Sequence, residues 1–64
     1  MRRAEAQLRL IQAVYRVESK RQHGAALDRL RERCESLLDL TAGQLDGDTN
    51  LRALLAEVRV QVRE

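Results

Sequence analysis

The chain has no proline, phenylalanine or tryptophan, and its 64 residues include one cysteine, one tyrosine and three glycines. A single cysteine excludes an internal disulfide, and Cys34 with His23 provides only two of the roughly four ligands of a structural zinc site. A core must therefore be built from leucine, valine, isoleucine and alanine, with Tyr15 as the only aromatic side chain. Chains below about 70–80 residues that lack such staples usually need a partner for stability. We expect self-association or a helical protein partner.

Long apolar runs are also missing from the sequence. No segment approaches the roughly 18 consecutive apolar residues of a membrane-spanning helix. The opening Met1-Arg2-Arg3 is followed by polar residues instead of the apolar segment of a signal peptide. These absences predict a cytoplasmic protein with no membrane partner. Eleven of the twelve basic residues are arginine, a bias typical of GC-rich genomes, so we expect a bacterial or phage source.

The most regular segment of the chain is residues 25–45. Its apolar side chains recur at alternating steps of three and four residues, which is the spacing of one face of a helix. The stripe comprises Leu27, Leu30, Cys34, Leu37 and Thr41, with Leu38 and Leu45 beside it. Acidic side chains fall mostly on the opposite side. The pattern predicts a helix over about residues 25–44 whose apolar stripe must be covered by other helices.

A second helical pattern precedes this segment, over about residues 2–22. Its stripe consists of Ala4, Leu8, Ile11 and Tyr15, and it is widened by Leu10 and Val14. The apolar pattern stops after Val17, and the cations Lys20, Arg21 and His23 precede Gly24, as is typical of a helix C-terminus. We predict a break near Gly24. One continuous helix over residues 2–45 is the alternative.

The last helical pattern covers about residues 49–62, after a loop at residues 45–48. Asp46-Gly47 is a typical turn pair, and Asp48 or Thr49 is placed to cap the helix that follows. The stripe of this helix consists of Leu51, Leu54, Leu55, Val58 and Val62. Residues 58–63 also alternate between apolar and polar with period two, so a strand is the alternative there.

No motif in the sequence indicates that the chain catalyses a reaction. Cys34 lies among leucines, where a free thiol packs as a small apolar side chain, and His23 is too far along the chain to serve as its base. The acidic residues of the loop match part of an EF-hand calcium loop, with oxygen-bearing side chains at Asp46, Asp48, Asn50 and Glu57. Leu51 stands where that loop needs glycine, so a turn followed by a helix cap is the preferred reading. We expect no enzyme activity, no metal and no cofactor.

Together these patterns predict an all-α fold, either an antiparallel helical hairpin or a small three-helix bundle, completed by oligomerisation or by a partner. We expect a small protein–protein interaction module, such as an adaptor, a chaperone-like protein or a regulatory subunit, which acts through packing of leucine-rich helices. The predicted partner interface consists of Leu8, Ile11, Tyr15, Leu27, Leu30, Cys34, Leu37, Leu38, Leu45, Leu54 and Val58.

The basic residues of the first helix suggest an alternative function. Residues 1–24 contain six basic and two acidic side chains, although the whole chain has a net charge of only +2. Four of the cations fall near one outer face of the helix, namely Arg2, Arg9, Arg16 and Lys20. Such a face suits an acidic protein partner or nucleic-acid phosphates. A small helical RNA- or DNA-binding regulator is therefore the alternative prediction.

Overall fold

The computed structural model describes residues 3–64, and in that part the chain forms three α-helices and no strand. Helix α1 covers Arg3–Glu18, α2 covers Ala25–Ala42 and α3 covers Thr49–Arg63. Each helix packs against the other two in a bundle measuring 36 × 17 × 16 Å. The predicted all-α fold is confirmed, in its three-helix form. None of the helices described is long and apolar enough to cross a membrane.

Polar contacts between the helices define their relative directions. Arg59 of α3 forms an ion pair of 2.8 Å with Asp39 of α2. One turn further along α3, Arg63 lies 3.3 Å from Glu35, one turn earlier in α2, so these two helices are antiparallel. Helix α1 runs parallel to α3, since Gln12 and then Tyr15 of α1 form hydrogen bonds with Gln61 and then Val62 of α3. The chain therefore runs up along α1, down along α2 and up again along α3, the simplest topology for a bundle with short loops.

The core is a single cluster to which all three helices and the second loop contribute. Its buried members are Ala4, Leu8, Ile11, Tyr15, Cys34, Leu38, Thr41, Leu45, Leu51, Leu54, Val58 and Val62. Leu45 is only 2% exposed although it lies outside the helices, so it closes the end of the bundle between α2 and α3. The hydroxyl of Thr41 is buried at no cost in hydrogen bonding, because it donates to the carbonyl of Leu37 over 2.8 Å.

The first connection begins earlier than the sequence indicates. Helix α1 ends at Glu18, four residues before the predicted boundary, because no apolar side chain after Val17 anchors a further turn to the core. Gly24 has φ 60° and ψ −132° and is the N-cap of α2. This backbone conformation is open to glycine and strained for other residues. Gly24 therefore begins α2, whereas the sequence predicts that it ends α1.

The second connection follows the prediction closely. Asp46 and Gly47 both have positive φ, at 52° and 79°. The carboxylate of Asp48 then accepts hydrogen bonds from the backbone N–H groups of Asn50 at 3.0 Å and Leu51 at 3.1 Å. These bonds satisfy two of the N–H groups that a helix leaves free at its start. Residues 58–63 continue α3 as helix, so the strand alternative is wrong.

Candidate protein-interaction groove

A groove of about 830 Å³ runs between α1 and α2, and no residue of α3 lines it. We call it the α1/α2 groove. Its apolar lining consists of Ala6, Leu10, Ile11, Val14, Ala26, Leu30, Cys34 and Leu37. Its polar lining consists of Arg3, Gln7, Glu18, Gln22, Arg29 and Arg33. The groove thus combines an apolar floor and walls with charged groups along its margins.

The sequence of α1 produces this groove because it carries two apolar stripes instead of one. The first stripe, from Ala4 to Tyr15, is buried in the core. The second runs through Leu10, Val14 and Val17 at steps of four and three. Successive helix residues are rotated by about 100°, so a stripe displaced by one residue faces roughly a quarter of a turn away. One stripe is covered by the bundle and the other remains open.

Helix α2 repeats the same arrangement on the other side of the groove. Its buried face is formed by Cys34, Leu38 and Thr41. Leu30 and Leu37 are two helical turns apart on the side of α2 that faces the second stripe of α1, and both line the groove. Leu40 continues this second stripe by one further step of three. The groove is therefore the place where the second stripes of two adjacent helices meet without a third helix to cover them.

Exposure of the large apolar side chains is concentrated on these two stripes. In the part of the chain that the structure describes, the exposed ones are Leu10 at 63%, Val14 at 43%, Val17 at 55%, Leu37 at 36%, Leu40 at 67% and Val60 at 55%. Only Val60 belongs to α3. Scattered apolar residues on a surface are ordinary, whereas contiguous ones mark binding sites. Three of the six, Leu10, Val14 and Leu37, line the α1/α2 groove, which indicates a binding surface there.

The shape of the groove favours an elongated occupant over a small molecule. Its volume falls within the roughly 300–1,000 Å³ range of ligand pockets. Such pockets, however, bury most of the ligand surface, whereas Leu10 on the wall of this groove is itself 63% exposed. The groove is bordered by helices of 16 and 18 residues, which makes it about 24 Å long at 1.5 Å per residue. Those proportions match a helix.

Charge is divided between the two sides of α2. Glu35 and Asp39 face α3, where each is paired with an arginine. Arg29 and Arg33 lie one turn apart on the groove side, and neither is paired with a carboxylate among residues 3–64. The only acidic side chain among the lining residues is Glu18, which accepts a hydrogen bond of 3.3 Å from the Gln22 side chain.

Most of the predicted interface residues lie inside the bundle. Eight of the eleven are buried in the chain's own core, namely Leu8, Ile11, Tyr15, Cys34, Leu38, Leu45, Leu54 and Val58. Of the others, Leu27 and Leu30 are half-buried and Leu37 is 36% exposed. A partner can reach most of the eight only if the bundle opens. Val17 and Leu40 are absent from the predicted interface, although the spacing of Leu10, Val14 and Val17 indicates a second stripe on α1.

The residues of the predicted basic face lie away from the groove. Arg9 and Arg16 are exposed on α1, two turns apart, and Lys20 is exposed in the connection that follows. Arg2 lies outside the described residues. None of the three described cations lines the α1/α2 groove. The basic face and the apolar groove are therefore separate surfaces.

The chemistry of Cys34 and of the acidic loop fits structural roles. Cys34 is 3% exposed, and its burial raises the pKa of the thiol, which lowers the fraction of nucleophilic thiolate. In the acidic loop, the Asp48 carboxylate caps α3, and the residues from Leu51 to Glu57 are helical. That helix replaces the continuous loop that an EF-hand requires. No group of three His, Cys, Asp or Glu side chains within residues 3–64 is placed to hold a metal ion.

No protein family model, curated protein or solved structure matches this chain.

Proposed function

We propose that the chain is a small non-catalytic protein–protein interaction module that binds one helix of another protein in the α1/α2 groove. The observation that carries the proposal is the alignment of Leu10, Val14 and Leu37 along an open groove between two helices. A bound helix would pack against both second stripes and add a fourth helix to the bundle. This is the helix-in-groove mode of recognition, in which apolar residues at i, i+3, i+4 and i+7 anchor the ligand.

The apolar surface of the groove is large enough to make such binding favourable. Full burial of an exposed leucine or valine side chain contributes about 1.5–3 kcal/mol. Leu10, Val14 and Leu37 line the groove, and Val17 and Leu40 extend its two stripes. The five side chains are 36–67% exposed, so each contributes only that part of the full value. Their burial and the burial of matching leucines of the ligand together oppose an association cost of about 4–15 kcal/mol. A protein of this kind acts as an adaptor, a chaperone-like protein or a regulatory subunit, and we propose that it works in the cytoplasm.

The proposal is tested by selecting helical ligands and locating them on the protein. A displayed library of randomised amphipathic helices is selected against the intact chain, and the selected peptides are mapped by NMR chemical-shift changes. We expect saturable binding with shift changes centred on Leu10, Val14 and Leu37. Selected peptides that bind to the basic face, or that cause shift changes on α3, would contradict the proposal.

A matched pair of variants controls for non-specific binding to exposed apolar side chains. Leu10→Ser removes an exposed leucine inside the groove, and Val60→Ser removes an exposed valine outside it. Both positions are more than half exposed, so we expect both variants to retain the helical circular dichroism spectrum. We expect Leu10→Ser to weaken the selected peptides at least tenfold and Val60→Ser to leave their affinity unchanged. Equal effects of the two substitutions would mean that the groove has no special role.

The alternative is binding of RNA or DNA through Arg9 and Arg16, and salt dependence separates it from groove binding. Phosphate contacts release counterions, so affinity falls steeply as salt rises. Packing of apolar side chains changes little over the same range. A gel shift that Arg9→Ala with Arg16→Ala abolishes, and that Leu10→Ser leaves intact, would favour the nucleic-acid function.

A further inference from the structure

We infer that the occupant of the α1/α2 groove is an acidic amphipathic helix, with carboxylates aligned on Arg29 and Arg33 of this chain. The inference rests on the proposed function and specifies the chemistry of the partner. Three arginines and one glutamate are the charged groups among the residues that line the groove. A helix with an apolar stripe and acidic flanks complements both the apolar and the charged parts of that lining.

The arginines of α2 are the strongest indication. Arg29 and Arg33 are exposed, lie one helical turn apart and both line the groove. The fold does not use them to hold α3, since that task falls to Glu35 and Asp39 on the opposite side of α2. Arginine presents five N–H donors in a planar fork that matches a carboxylate. Two carboxylates spaced four residues apart on a partner helix would meet both guanidinium groups at once.

A second copy of this chain is a poorer occupant of the groove. A symmetric dimer that joins two grooves would bring together six arginines and two glutamates, because each partner presents the same surface. Like charges that face one another across an interface oppose association. The imbalance of charge in the groove therefore favours a different molecule with a surplus of carboxylates.

The distribution of charge along the groove also predicts which end of the partner helix is the less acidic one. Arg3 lies at the start of α1, and Glu18 lies at its end. Because α1 and α2 are antiparallel, Arg29 and Arg33 fall between these two ends. The partner helix should therefore carry acidic residues over most of its length and a neutral or basic residue beside Glu18. At 1.5 Å per residue, about 16 residues fill the groove.

The test uses three synthetic 16-residue peptides, each held helical by a side-chain staple, with identical leucines and with Glu, Gln or Lys at every flanking position. Binding to the full chain is measured by fluorescence anisotropy at low and at physiological salt. We expect the Glu peptide to bind at least tenfold more tightly than the Lys peptide, with the difference shrinking as salt rises. Equal affinities of the three peptides, or tighter binding of the Lys peptide, would overturn the acidic partner.

Charge reversal at the groove provides the matched control. Arg29→Glu with Arg33→Glu should invert the preference, so that the Lys peptide binds more tightly than the Glu peptide. Arg9→Glu with Arg52→Glu makes the same change in net charge at exposed positions outside the groove, and should leave the preference unchanged. The milder Arg29→Gln with Arg33→Gln should abolish the preference and serves if the reversed variant does not fold. Inversion by the control pair as well would assign the effect to net charge and overturn the inference.

The two proposals fail in different ways. If all three peptides bind equally and Leu10→Ser abolishes their binding, the groove binds helices and only the acidic chemistry is wrong. If no peptide binds and light scattering shows a dimer that Leu10→Ser converts to a monomer, the occupant is a second copy, and the inference is overturned. If none binds and Leu10→Ser changes nothing, the proposed function fails together with the inference.

Discussion

The hydroxyl of Tyr15 donates a hydrogen bond to the backbone carbonyl of Val62 over 3.1 Å, joining α1 to α3 across 47 residues of sequence. The same oxygen accepts a hydrogen bond of 3.3 Å from Nε of Arg31, so all three helices meet at one phenol. The carbonyl of Val62 lies in the last turn of α3, where carbonyl groups lack donors within their own helix. Tyr15 therefore also caps the C-terminus of α3, although it lies on a different helix.

Replacing this tyrosine with phenylalanine tests the contribution of the hydroxyl alone. Tyr15→Phe keeps the ring in the core but leaves the Val62 carbonyl and the Arg31 side chain without this partner. Both bonds are long, so we expect the free energy of unfolding to fall by about 1 kcal/mol. In a domain of this size, that corresponds to about 4–8 °C in the melting temperature, measured by circular dichroism. An unchanged melting temperature would show that the bonds add nothing to stability.

Two leucines of α2 provide a comparison between its buried face and its exposed face. Leu38 is fully buried, whereas Leu40, two residues later, is 67% exposed. Leu38→Ala leaves a cavity, which costs about 2–5 kcal/mol and is enough to unfold most of a domain this small. Leu40→Ala should change stability by less than about 0.5 kcal/mol, as surface substitutions usually do. Urea unfolding followed by circular dichroism measures both, and similar losses at the two sites would contradict the division of α2 into two faces.

Two glycines beside the second loop should respond oppositely to alanine. Gly43 has φ −72°, and a methyl group there would meet only the Leu40 carbonyl oxygen at an ordinary 3.6 Å. Gly43→Ala should therefore stabilise the protein by about 0.4–1 kcal/mol, because it restricts the unfolded chain. Gly47 has φ 79°, so Gly47→Ala should destabilise it by about 1–2 kcal/mol. Thermal melts of the two variants test the prediction, and a shift in the same direction would refute it.

Burial of Cys34 predicts a loss of stability in alkali. Because burial raises the pKa of the thiol, the folded protein keeps a proton that the unfolded chain loses above its ordinary pKa of about 8.5. The free energy of unfolding is therefore unaffected below that pH and falls as the pH rises through the folded pKa. Urea titrations at increasing pH should show this fall.

The matched control for that measurement is Cys34→Ala, which lacks the thiol while every other titratable group is retained. The variant is less stable at neutral pH because of its cavity, and we expect its disadvantage to shrink as the pH rises. In parallel, a thiol reagent should modify the native protein more slowly than it modifies the chain in urea. A constant difference in stability, together with fast modification, would show that the thiol is accessible.

Much of the fold follows from local patterns in the sequence. The stripe of α3 and its Asp48 cap are readable because each depends on neighbours within a few residues. The end of α1 is harder to predict: residues after Glu18 are compatible with a helix, and their failure to continue it reflects the absence of core contacts, which is a tertiary property.

The groove illustrates what the sequence alone leaves open. In the sequence, Leu10 and Val14 widen the stripe that contains Leu8 and Ile11, because all four satisfy helical spacing. Only packing against α2 and α3 decides which pair is buried. Similarly, the pattern of α2 puts Leu37 and Cys34 on one stripe. In the structure both line the groove, but Cys34 is buried whereas Leu37 is exposed.

The two stripes of α1 also present a folding choice. A rotation of α1 by about 100° about its axis would expose the stripe that ends at Tyr15 and bury the stripe that ends at Val17. Both stripes are apolar. Burial of apolar side chains alone gives these two rotations of α1 a small difference in free energy. The folding of α1 is therefore locally frustrated. The Tyr15 hydroxyl has its hydrogen-bond partners in only one of them. The sole aromatic side chain of the chain therefore favours the rotation of α1 in which Leu10, Val14 and Val17 face the solvent.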